Sequence, residues 1–296
     1  MIMEKSFGFT CGYLNQFYYA CANGQLLIRS VVEGLYSSIV SRAHLKICFL
    51  AVLFFCINFL PVKLYACDNC KDYNNDDFQI RKVQVTHHPH IAATVWEIEV
   101  KGEAGRTTPK PAGQLHGAPV LGYVFPTSLC PSSVGFDKTE GILALALASH
   151  PDFDDTPLWD ESGDGDYHND GAVWHPHWVV LISDERVKGG FSVKEFSRDD
   201  NLVVLPPTNP GMPMYMDSPG FQIITENRKI RVVVPDFRIR NNLDFTYDAV
   251  SCFMEVNTGD GDSHGGGEMP MLGVYSVFSI ASGDLSLPFS VKKRRR

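Results

Sequence analysis

From about residue 83 to residue 283 the chain repeats one device: runs rich in Val, Ile, Phe and Tyr with period-two character, each closed by Gly, Pro, Asn or Asp. The runs "VQVTHHPHIAATVWEIEVKG", "VLGYVFPTS", "AVWHPHWVVLIS", "NLVVLP", "FQIITENRKIRVVVPDF", "FTYDAVSCFMEV" and "LGVYSVFSIASG" all have this form. β-Branched and aromatic side chains suit a pleated, half-buried surface, so each run predicts strand, with "ENRK" as a hairpin turn. "TEGILALALASH" leaves two choices, a short helix or a central strand buried on both faces. With no internal repeat, the expectation is an all-β chain: a single antiparallel β-sandwich of about 8–11 strands with long acidic and Gly-rich loops.

The start of the chain reads differently. Residues 47–59, "ICFLAVLFFCINF", hold one polar side chain, Asn58, and follow Arg42, His44 and Lys46. A basic segment, a short apolar run and a break at Pro61 are the layout of a secretory signal. Thirteen helical residues rise about 20 Å, short of the roughly 30 Å hydrocarbon core, which argues against a permanent span. The expected organisation is an N-terminal extension at 1–45 with the translation start set too early, a signal peptide at 46–66, the β-sandwich at 67–290 and a solvated basic tail at 291–296. The protein is then secreted or periplasmic. "LYAC" also resembles the lipobox of bacterial lipoproteins, which implies a lipid anchor on Cys67 as the alternative, and an uncleaved anchor is a third arrangement.

The part from residue 67 onward carries 21 Lys and Arg against 32 Asp and Glu, a balance of −11, with five cations in the terminal "KKRRR". So acidic a body disfavours nucleic acid as a partner. Its four cysteines, Cys67, Cys70, Cys130 and Cys252, predict one or two disulfides in an oxidising compartment. "CDNCK" has the spacing of covalent haem attachment, but Lys71 stands where the haem-binding His belongs.

Two long loops carry the chemistry. Residues 152–170 contain eight carboxylates and no Lys or Arg, a density that calls for a bound cation. Asp160, Ser162, Asp164 and Asp166 alternate, with Gly165 in the sixth place, as in calcium loops whose alternate oxygens wrap one ion. Gly171 stands where the closing bidentate carboxylate is expected, so Asp170, or Asp152, Asp154 or Asp155, would complete the site. No helical pattern flanks the loop, which excludes an EF-hand as a fold. The second loop, "NTGDGDSHGGGEMP", places His264 among Asp260, Asp262 and Glu268.

His175 and His177 in "VWHPHWVVLI" are two apart, so on a strand both face one side while Trp174, Pro176 and Trp178 face the other. Two imidazoles one strand step apart are first ligands for zinc, copper or iron. His168 and His264 are candidate further ligands, and His116, His150, His87, His88 and His90 could also supply a third. Cupins would need a Glu three or four residues after the second His, where Leu181 and Ile182 stand. "HPHW" resembles the His-x-His-Trp strand of the α-class carbonic anhydrases, which implies zinc with a third His from a neighbouring strand; the likeness covers four residues. There is no Gly-x-Ser-x-Gly elbow, phosphate loop or dinucleotide fingerprint.

Three functions follow as expectations. One is an exported, non-catalytic metal-binding β protein with a calcium loop and a His-based transition-metal site. The second is a metalloenzyme on His175, His177 and a third His. The third is a calcium-dependent module for carbohydrate or another ligand, with Trp159 or Tyr167 as stacking surface.

Overall fold

The computed structural model describes residues 70–153, 165, 173–258 and 269–294, all within the unit Ala66–Arg296. The expected signal peptide, the lipobox, most of the acidic loop and the Gly-rich loop with His264 lie outside the described residues. The strands are β1 (Ile80–His88), β2 (Ala93–Val100), β3 (Pro119–Pro126), β4 (Ile142–Ser149), β5 (His175–Ser183), β6 (Phe191–Val193), β7 (Met216–Asp217), β8 (Ile223–Glu226), β9 (Lys229–Pro235), β10 (Thr246–Tyr247), β11 (Val250–Val256), β12 (Leu272–Ile280), β13 (Phe289–Ser290) and β14 (Lys292–Lys293). Short 3-10 turns and loops link them, and no α-helix occurs among the described residues. None of these residues forms a helix long and apolar enough to cross a membrane.

The expected all-β, antiparallel character is present, but the sandwich is not. Strands β4, β3, β11, β12, β6 and β5 pair in that order, and β5 pairs back onto β4, closing a six-stranded antiparallel barrel. A separate sheet, in the order β14-β1-β2-β9-β8, completes the architecture with the small β10–β13 pair. Alternating patterns look the same in a sandwich and a barrel. What closes this one is the size of the inward side chains. A six-stranded ring has a narrow interior, and its inward positions include Gly122, Ala144, Ala146 and Ala148.

The barrel strands are buried on both faces, and the two faces belong to different cores. Leu121, Tyr123, Phe125, Leu143, Leu145, Leu147, Trp178 and Val180 point outward and join Val85, Trp96, Ile98, Val232 and Val234 of the five-stranded sheet. Their alternate neighbours Val120, Val124, Ala144, Ala146, Ala148, Val179, Cys252 and Met254 line the inside. Trp96 anchors the outer core, with ring centroids 5.3 Å from Phe125, 5.8 Å from Trp178 and 5.3 Å from Phe245.

Three local readings resolve. "GILALALAS" is a strand, because β4 is flanked by β3 and β5 and covered on both sides. "ENRK" is the β8–β9 turn, with Asn227 in the left-handed region at φ 53° and Glu226 paired to Lys229. "NLVVLP" is a turn and extended loop, since Leu202 and Val204 are exposed and find no partner strand. The basic tail pairs by its backbone: Lys292 and Lys293 form β14, parallel to β1, with Lys292 opposite Thr86, while their side chains stay exposed. Backbone pairing at an open sheet edge does not depend on side-chain charge, so a charged segment can dock there.

Candidate metal centre

The strand register places the histidines. Across β11, β3, β4 and β5, Cys252, Gly122, Ala148 and His175 form one row, and Val250, Val124, Ala146 and His177 the next. Both imidazoles therefore share the inward face with the small Ala and Gly side chains, while Trp174 and Trp178 belong to the outer core. His150 directly follows β4 and keeps the inward phase of Ala144, Ala146 and Ala148. Space left by those small residues admits three rings.

His150, His175 and His177 are 2–3 % exposed, and one ligand nitrogen from each lies within 4.8 Å of the others. The Nε2 atoms of His150 and His175 are 2.8 Å apart. The His175 and His177 ring centroids are 4.7 Å apart and nearly perpendicular, at 87°. Phe153 stacks on His150 at 4.0 Å and 4°.

The outer nitrogens are held as well. His175 Nδ1 lies 2.6 Å from the Val173 carbonyl oxygen, an acceptor only, so Nδ1 carries the proton and Nε2 of the neutral ring carries the lone pair. His177 Nδ1 lies 3.1 Å from Ser218 Oγ. Next to Ser218, Asp217 is fully buried, and that burial pushes its carboxyl above the usual carboxylate range against a hydrogen bond from Thr208 and the nearby Arg238. Cys252 is a buried free thiol, and burial pushes it up to about 12; a disulfide to Cys252 is not present. This triad can hold a transition-metal ion, because three buried imidazoles that converge, two of them with the outer nitrogen held, are a nitrogen donor set for one.

No family model, no curated protein and no solved structure matches this chain. The site therefore stands on its own geometry.

The other candidates are dispersed or outside the described residues. Asp160, Ser162, Asp164, Asp166, His168, Asp170 and His264 fall outside them. Asp152 is described; its carboxylate accepts from the Ala112 and Gly113 amides at 2.9 Å each. His87 contacts Asp236 at 2.9 Å, and His88 and His90 form an edge contact, all on or beside β1 in the five-stranded sheet. His116 Nδ1 accepts from the Thr258 amide at 3.3 Å. His150 was legible only as one histidine among several. Its partnership required β4 to be a strand paired with β5, and the unbroken apolar run of β4 hides its phase.

Proposed function

We propose that this is an exported β-barrel protein that binds one transition-metal ion, zinc, copper or iron, through His150, His175 and His177. The convergence of three buried imidazoles at one end of the barrel interior carries this reading. Buried polar rings are costly in an apolar interior unless their nitrogens are engaged, and one ion would engage a nitrogen of each of the three rings at once. An all-imidazole set suits zinc, copper or iron over the hard cations that prefer oxygen. Signal-like residues 46–66 support export, and the lipobox-like "LYAC", with Leu64 and Ala66 before Cys67, leaves the lipid-anchored form as its variant. The eight carboxylates of residues 152–170 support calcium in the segment that leaves β4 after His150 and returns to β5 at His175.

A metalloenzyme is the second reading. It is favoured by the ligand count, since zinc sites with three protein ligands are those that keep a place open for chemistry. When bound, such an ion would supply Lewis acidity. The chain's own part would be to orient the rings through Val173 and Ser218.

Elemental analysis of the protein, purified without a His-tag or chelator, tests the proposal. One equivalent of a transition metal, lost in His175→Ala, is the expected result. Its absence in the wild type after offering zinc, copper and iron in turn would refute the site. For the acidic loop, Asp164→Ala should lower the melting temperature only when calcium is present.

A further inference from the structure

A second feature lies on the outward face of the five-stranded sheet. A half-open groove of about 550 Å³ is lined by Gln84, Thr86 and His88 of β1, Val95 and Glu97 of β2, Arg231 of β9, and Lys292, Lys293 and Arg294 at the C-terminal strand. The register explains the grouping. Gln84 opposes Glu97, Thr86 opposes Val95, Glu97 opposes Arg231, and Lys292 pairs with Thr86 from the other side.

The groove is basic on an otherwise acidic protein. Glu97 is its one carboxylate, and Lys229 and Arg231 neutralise it at 3.0 and 2.5 Å, holding it below the usual carboxylate range despite burial. Arg231 is further engaged by Glu226 at 2.9 Å. Among the described residues, Lys292, Lys293 and Arg294 have no carboxylate partner; Lys292 Nζ donates only to Gln84 Oε1, at 3.1 Å. Burial, with Arg294 nearby, holds His88 below the usual histidine value, so at neutral pH it offers an uncharged ring. Three uncompensated cations, with neutral hydrogen-bonding groups between them, match an anion with several oxygens. Val95 and the aliphatic stems of the cations add apolar surface, and the volume exceeds that of a bare ion, falling in the range of small-molecule sites.

We propose that this groove binds the phosphate or sulfate group of a small organic ester. The anionic group lies against Lys292, Lys293 and Arg294, and the organic part rests on Val95. This is independent of the metal centre, which lies inside the barrel.

Calorimetric titration of the full protein with phenyl phosphate tests it, beside the variant Lys292→Gln/Lys293→Gln/Arg294→Gln. These side chains sit at a sheet edge, so the variant should keep the wild-type circular dichroism spectrum and melting temperature. One saturable site, weakened at least about ten-fold in the variant, is expected. Inorganic phosphate should bind the same site more weakly, because it leaves Val95 uncovered. Absence of saturation, unchanged affinity in the variant (as binding at a metal would give), equal affinity for inorganic phosphate, or a phenol signal matching that of the ester would each overturn the proposal.

Discussion

Nε2 of His150 and Nε2 of His175 lie 2.8 Å apart, a distance that suits one shared proton. Two nitrogens on one tetrahedral zinc ion, each about 2.0–2.1 Å from the metal, stand roughly 3.3 Å apart. Since His175 Nδ1 holds its proton toward Val173, His150 Nε2 is the donor of this pair. An ion would replace that proton, and the rings would open by about half an ångström.

His150→Ala should therefore abolish metal-dependent stabilisation while leaving a folded barrel. A ligand that binds only the folded state adds about 2.7 kcal/mol at a hundred times its dissociation constant. Melting curves with and without added zinc should differ in the wild type and coincide in the variant. Equal shifts in both proteins would show that the metal binds elsewhere.

Ser218→Ala addresses the outer nitrogens. Removing a group that orients a ligating imidazole costs about 10–100-fold in metal affinity. Competition against a chelator would measure this loss. The metal-free protein should lose no more than about 1–3 kcal/mol, because a buried partner is removed without touching the outer core.

How much of this was legible in the sequence depends on what each residue had to signal. His175 and His177 declared their shared face by spacing alone, since strand side chains alternate whatever the fold. Barrel closure did not, because it is a relation between β4 and β5 set by pairing register. The same blindness hid His150, whose inward phase is visible only once Ala148 is known to sit opposite His175. For Lys292 and Lys293 the exposed side chains fit a charged tail, but the backbone pairing was not legible, because the free edge of β1 supplies partners that composition does not encode.

Asp184 should govern the acid limb of stability. Arg186 and the Ser192 hydroxyl hold its carboxyl at about 2, below its ordinary 3.8, with Arg186 Nη2 at 2.7 Å. Because the folded value is the lower one, this contribution is fully present above about pH 4 and disappears as the pH falls through about 2. Asp184→Asn should be less stable by about 1–3 kcal/mol at pH 7, and denaturant melts should show the difference shrinking toward pH 2. A difference independent of pH would mean that packing, not charge, is what Asp184 supplies.

Gly189→Ala should open the barrel at its weakest joint. β6 has only three residues and meets β12 at a single pair, Gly273 with Ser192. The turn before it is held against β12 by the Gly189 amide, which donates to the Val274 carbonyl oxygen at 2.8 Å. A Cβ on Gly189 would lie 2.4 Å from that same oxygen, and backbone on both sides leaves neither atom room to yield. The neighbouring Gly190 has φ +76° and nothing within 4 Å of its Cβ position, so alanine there costs only about 1–2 kcal/mol of left-handed strain. Thermal unfolding should rank Gly189→Ala below Gly190→Ala, with a loss above about 2 kcal/mol. Amide exchange should speed up in β6 and at the 181–183 end of β5 first, because those residues lose their partner when the turn lifts from β12. If the two variants melt together, the close approach of Gly189 to Val274 does not secure the closure.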